Sequence, residues 1–239
     1  MKYLPLFLLL CVFMGSCGPN PPSQAPEEAA QPTADTSRQE PAAPTEPSRP
    51  AHTELDTSQW IDLQWLEPGI AQDIRYATTN NFVKEKMYDC PRCLLRPEVA
   101  RRIQQAHRQL QQQGLGLKVF DCYRPRPVQA KLWDKVPDAR YVTPPTKGSM
   151  HNRGSAVDLT IVDAQGKELN MGTDYDYFGR EAYHDYTDLD SVVLANRQLL
   201  KQSMAAVELD PIRTEWWHYS FRGKSYPLAD MLWECPSAQ

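Results

Sequence analysis

Two histidines, an aspartate and a glutamate stand in this sequence at spacings that suit hydrolysis at a metal. S-M-H-N-R-G-S-A-V-D, residues 149–158, places the imidazole of His151 in a loop and the carboxylate of Asp158 seven residues later. Asp158 falls on a segment that reads as a strand, because Ala156, Val157, Leu159, Ile161 and Val162 surround it. E-W-W-H, 215–218, offers a second imidazole, His218, with the carboxylate of Glu215 three residues before it. Two imidazoles and one carboxylate make the ligand set of a hydrolytic zinc ion, with the fourth position left for water, and Glu215 is placed to take that water's proton. Each pattern alone is a moderate signal; together, in this order, they are much stronger.

The elements that carry these groups follow from the surrounding pattern. Alternation along the strand puts Asp158 and Thr160 on one face and Val157, Leu159 and Ile161 on the other, so the aspartate can face a cleft while its neighbours face a core. The segment 212–221 reads as the last long strand, with one difficulty. Glu215 and His218 are three apart and would point to opposite faces of a regular strand, so a bulge or bend is expected near 214–216. The blander alternative pairs Glu215 with a surface arginine. Pro97 opens a helix whose apolar positions Val99, Ile103, Ala106 and Leu110 recur until Gly114; His107, between them, is expected to be a solvated helix histidine. A short buried strand over 117–120 runs into D-C-Y-R-P-R-P, where Pro125 forces Arg124 toward an extended backbone from which it can point at a ligand. Further helices are expected over 128–136 and 190–207, a loop over 137–147, and a polar aromatic loop, G-T-D-Y-D-Y-F-G, over 172–179.

S-M-H-N-R-G-S-A-V-D with E-W-W-H-Y, preceded by D-I-R-Y-A-T-T-N-N-F and D-C-Y-R-P, resembles the zinc D-alanyl-D-alanine dipeptidases, the family of the vancomycin-resistance dipeptidase. The resemblance covers about 56–233 and implies a single α+β domain, a central antiparallel sheet with flanking helices, of the kind shared with Hedgehog signalling domains and zinc D,D-carboxypeptidases. It implies one zinc ion per chain on His151, Asp158 and His218, with Glu215 as general acid and base and Arg124 steadying the tetrahedral intermediate. Ser149 and Asp176 match positions that help hold the substrate's free amino group. For the substrate carboxylate the nearby Arg124 and Tyr123 are the candidates. This sequence departs from the family at Cys122, where glycine is usual, and in the Cys90 and Cys93 pair.

The remainder of the chain bears on location. After Met1 and Lys2 an apolar run too short to span a bilayer ends at Gly15, Ser16 and Cys17, the pattern of a lipoprotein signal over 1–16 with Cys17 lipidated. Residues 17–54 are rich in Pro, Ala, Glu, Ser and Thr and are expected to form a disordered tether, leaving 55–239 as the zinc dipeptidase domain. An exported protein anchored to a bacterial membrane, facing the periplasm or wall, favours disulfides among Cys90, Cys93, Cys122 and Cys235; a link to Cys122 would brace the turn carrying Arg124. A second zinc on those four cysteines is the competing idea. A net charge of −4 without a basic cluster argues against nucleic-acid binding. The expected substrate is D-Ala-D-Ala in wall turnover. Two alternatives stay open at this stage: a D,D-carboxypeptidase or endopeptidase acting on peptidoglycan-derived stem peptides, and a non-catalytic module that keeps a zinc site.

Overall fold

The computed structural model describes residues 56–235. The signal, the lipid site at Cys17 and the tether lie outside the described residues. Within them the chain runs β1 (Ile61–Asp62), α1 (Leu63–Leu66), β2 (Ala71–Gln72), β3 (Leu94–Leu95), α2 (Pro97–Gln111), β4 (Gly116–Asp121), α3 (Arg126–Lys135), β5 (Ala156–Val162), α4 (Ser191–Ala205), β6 (Asp210–Ile212) and β7 (Glu215–Ser220). The fold is α+β. Its central sheet has the order β2-β4-β5-β7-β6, antiparallel throughout except for the short β2, which lies parallel to β4. β1 and β3 form a separate antiparallel pair. Among the described residues, no helix is long and apolar enough to cross a membrane.

β5 is the middle strand and every one of its residues is buried. α2 opens on Pro97, whose missing N–H costs nothing at a first helical position. Its buried stripe of Val99, Ala100, Ile103, Ala106 and Leu110 packs into the core that contains Val157, Leu159 and Ile161. α2 and α4 touch each other as well as the sheet, so they cover the same face and leave Asp158 on the other. His107 is not solvated as its helix pattern suggested. It is buried, and its Nδ1 accepts the Leu117 N–H at 3.1 Å, bracketing α2 to the start of β4.

The segment 212–221 is likewise not one strand. β6 and β7 form a hairpin turning at Arg213 and Thr214, in which Ile212 pairs with Glu215 but Pro211 pairs with Tyr219. Trp216, Trp217 and His218 are therefore opposed by nothing on β6, and this irregularity is the bend that the Glu-x-x-His spacing demands. A second register shift, in β4 between Val119 and Asp121, brings Asp121 opposite Asp158. Asp158 in turn pairs with His218. The result is a row of Asp121, Asp158 and His218 across three adjacent strands.

Two disulfides tie this sheet to its surroundings. Cys93, just before β3, bonds Cys122, just after β4, with Cα atoms 5.1 Å apart. Cys90 bonds Cys235 with Cα atoms 5.7 Å apart. With these four sulfurs paired, no thiolate among the described residues is left for a second zinc.

His151 reaches the row from a single 3-10 turn, His151–Arg153, that ends on Gly154 at φ +68°. A Cβ on Gly154 would lie 2.3 Å from the Trp60 ring. Gly154→Ala combines left-handed backbone strain with a steric clash and is expected to lower stability by about 2–3 kcal/mol. Urea unfolding checks this: an unchanged midpoint would show that the turn does not need glycine.

Candidate metal centre

His151 Nε2, His218 Nδ1 and Asp158 Oδ1 meet at the buried centre of the row. The two ring nitrogens are 3.1 Å apart, His218 Nδ1 is 3.0 Å from Asp158 Oδ1, and His151 Nε2 is 3.2 Å from the same oxygen. These three residues form a group able to hold a metal ion, and all three are buried. The spacing fits: a tetrahedral ion with bonds of about 2.0–2.2 Å imposes ligand separations of about 3.3 Å. The tautomers fit as well. His151 Nδ1 lies 2.7 Å from the Cys122 carbonyl, which can only accept, so in the neutral ring Nδ1 carries the hydrogen and Nε2 presents a lone pair to the centre. Tyr175 donates its hydroxyl to Asp158 Oδ2 at 3.0 Å, which orients the carboxylate and leaves Oδ1 for the centre.

Glu215 stands beside this triangle, its Oε2 3.9 Å from His218 Nδ1. Although 28% of its side chain remains open, burial raises its carboxyl to about 7, with His218 drawing it back and Asp158 and Asp176 adding to the rise. A carboxyl poised there can both take and return a proton near neutral pH. Arg124 faces the same cavity with its charge retained: burial opposes the guanidinium, and Asp121 more than restores it. Its Nε and Nη2 donate to Asp121 Oδ2 at 3.0 and 2.7 Å, and Nη1 donates to Gln129 Oε1 at 3.1 Å. Three bonds leave part of the five-donor fork for a ligand.

The cavity holds about 570 Å³, and Ser149 and Asp176 line it together with the triangle, Glu215 and Arg124. Asp176 is held at φ 57° and accepts the Tyr76 hydroxyl at 2.9 Å. Burial raises its carboxyl to about 8, and the charge of Asp158 adds to that rise. Ser149 is fixed by Asn152, which accepts its N–H at 2.7 Å and donates an N–H to its Oγ at 3.3 Å. Tyr123 is a correction. It is buried away from the cavity, its ring 4.3 Å from Trp60 and its hydroxyl donated to the Met231 carbonyl at 3.1 Å, because it follows Cys122 on the opposite side of an extended chain. It cannot meet a substrate carboxylate.

Several residues that shape the site were not singled out from the sequence. Asp121 anchors Arg124, accepts the Tyr88 hydroxyl at 2.7 Å and lies 3.7 Å from His151 Nδ1. Asn152 donates to the Arg124 carbonyl at 2.7 Å and so joins the metal-bearing turn to the arginine. Tyr76 and Tyr175 hold the two cavity aspartates. Asp121, Asn152 and Tyr76 all sit inside motifs already quoted; their roles depend on partners far away in the chain.

Residues 56–236 match a family model described as D-ala-D-ala dipeptidase. The D-alanyl-D-alanine dipeptidase of Escherichia coli (strain K12) is 33% identical over 181 residues, covering 75% of this chain and 94% of that protein. That of Enterococcus faecalis (strain ATCC 700802 / V583) is 27% identical over 192 residues, covering 70% and 94%. A solved structure of a vancomycin-resistance D,D-pentapeptidase in complex with zinc(II) aligns with 54% of this chain and 73% of its own at 14% identity and a TM-score of 0.37.

Without a metal, His151 holds its proton more tightly than a free imidazole does. Burial lowers the His151 pKa, but Asp158 more than offsets this, so the folded value lies above the ordinary 6.5. The pair therefore stabilises the metal-free protein below pH 6.5 and loses that contribution as pH rises through the raised value. A metal must displace the same proton, so its affinity rises with pH over this window and binding releases protons. Calorimetry in buffers of different ionisation enthalpy measures the release; binding without proton release or pH dependence would contradict this account of the triangle.

Proposed function

The chain belongs to the D-Ala-D-Ala dipeptidase family, and we propose that it hydrolyses the free dipeptide D-Ala-D-Ala to D-alanine with one zinc ion held by His151, Asp158 and His218. Zinc bound there supplies a Lewis acid for the scissile carbonyl and lowers the pKa of water. Glu215, beside the centre and poised near neutrality, takes the proton from the attacking water and passes it to the leaving amine. Arg124, fixed by Asp121 and Gln129, turns its remaining N–H groups toward the oxygen on which negative charge develops, an interaction typically worth about 3 kcal/mol.

The observation that carries the dipeptide reading is Asp176. Its carboxyl lines the same cavity as the triangle and, among the described residues, receives a single hydrogen bond, from Tyr76. Such a group is unfavourable as a buried anion until a cation meets it, and the free ammonium of a dipeptide is that cation. Aromatic rings continue outward from this point. Tyr76 packs edge-on to Phe82 at 6.1 Å, Phe82 to Phe178 at 5.0 Å, and Phe178 stacks on Tyr141 at 4.4 Å. A peptide extended at its amino end would have to pass this wall, which favours the dipeptide over a wall-bound stem peptide.

Export and lipid anchoring at Cys17 belong to the same proposal, with a role in wall turnover. The pattern over 1–17 supports them, as do the two disulfides, which persist in oxidising compartments.

Glu215→Ala is expected to keep zinc and lose about 10²- to 10⁴-fold in kcat, whereas His218→Ala loses both metal and turnover. Asp176→Ala is expected to raise KM for D-Ala-D-Ala about 10- to 100-fold, as for a lost charge-assisted hydrogen bond. Metal content and steady-state kinetics decide: near-normal kcat in Glu215→Ala removes it from proton transfer, and an unchanged KM in Asp176→Ala removes the amine anchor.

A further inference from the structure

The Cys93–Cys122 disulfide bears on the metal centre in a way that the Cys90–Cys235 bridge does not. β4 leaves its ladder at Asp121, whose last partner is Asp158, so Cys122 lies beyond the sheet's own hydrogen bonds. The peptide group joining Cys122 to Tyr123 nevertheless carries two bonds of its own. Its carbonyl receives the His151 Nδ1 hydrogen at 2.7 Å, and its N–H donates to the Leu94 carbonyl at 2.9 Å. Leu94 adjoins Cys93, whose own carbonyl accepts the Leu63 N–H at 2.9 Å. The bridge therefore locks 93–94 alongside 122–123 and sets the tilt of the one peptide plane that orients His151.

We propose that Cys93 and Cys122 are positioning residues for the metal site: their bridge fixes the carbonyl that selects the His151 tautomer and aims Nε2 at the centre. The inference rests on the zinc reading given above. The same clamp reaches the other half of the site, because Asp121 and Arg124 flank Cys122 and the Arg124 N–H donates to the His151 carbonyl at 3.1 Å. Both sulfurs of the inner bridge are buried, at 0% and 1% exposure, whereas Cys235 is exposed. The inner bridge is thus a permanent brace, and the outer one supplies the control.

The test compares the full chain with Cys93→Val/Cys122→Ala, which keeps apolar volume without the bond, and with Cys90→Ser/Cys235→Ser. Zinc affinity is read by competition with a fluorescent chelator, and the His151 tautomer by long-range proton–nitrogen NMR. Loss of the inner bridge is expected to weaken zinc about 10- to 100-fold, as for other partners that orient a metal-ligating histidine, with the tautomer no longer single and kcat falling more than KM. Loss of the outer bridge is expected to change zinc affinity less than about threefold by the same reasoning, since the one hydrogen bond at that bridge among the described residues, from Trp233 Nε1 to the Cys90 carbonyl, involves no metal-ligating residue. Should the inner variant fail to fold, the Cys90→Ser/Cys235→Ser chain measured fully reduced and again after reoxidation gives the same reading, because the inner bridge is then the one that opens and closes. Affinity that follows the thiol state of Cys93 and Cys122 supports the proposal; affinity and tautomer indifferent to it, in a parent that binds zinc and cleaves the dipeptide, overturn it alone. A parent that binds no zinc overturns the reading beneath it, and this proposal with it.

Discussion

Three lone-pair donors held 3.0–3.2 Å apart in a buried pocket repel one another unless a proton or a cation sits among them. Much of the architecture can be understood as the means of enforcing that proximity. The β4 register shift sets Asp121 opposite Asp158, the regular β5–β7 ladder sets His218 there as well, and the irregular β6–β7 hairpin lets Glu215 join their side. The turn ending at Gly154 then lowers His151 onto it. With uniform registers throughout, Asp121 and Glu215 would fall on the face opposite Asp158 and His218.

The charge around the triangle follows the same logic. Asp121, Asp158, Asp176 and Glu215 are gathered there; Arg124 acts on Asp176 and Glu215 from within the protein, His218 acts on Glu215, and Lys147, Arg153 and Arg222 also line the cavity. Asp121 uses its charge on Arg124, Asp158 is matched to the two histidines, and Asp176 and Glu215 are left with carboxyls raised toward neutrality by burial. Such a site gains most from incoming positive charge, first a metal ion and then a substrate ammonium. One electrostatic deficit would thus serve both the metal and the proposed recognition of a free amino terminus.

The sequence made the donor groups legible because their types are unusual and their spacing is local: His151 and Asp158 fall in one motif, and Glu215 with His218 in another. It also called for an irregularity near 214–216, since Glu215 and His218 cannot share a face of a regular strand. α2 was readable from periodicity and its opening proline. What escaped was set by distant partners. His107 looked like a surface residue on its helix until Leu117 supplied a buried donor. Tyr123 sits in the D-C-Y-R-P motif, yet alternation turns it toward Trp60 and Met231. Four cysteines permit three pairings, and only the placement of β3 beside the end of β4 selects Cys93 with Cys122. Asp121 and Asn152 were printed inside the motifs, but their bonds to Arg124 appear only once the strands are aligned.

The most direct measurement is of D-alanine release by the zinc-loaded chain from free D-Ala-D-Ala and from the same dipeptide acetylated on its amino group. If Asp176 awaits an ammonium, the free dipeptide is cleaved and the acetylated one falls by about a hundredfold or more, since a buried polar group would be left unmatched. Equal cleavage of the two would contradict the account and move the protein to trimming of longer wall peptides.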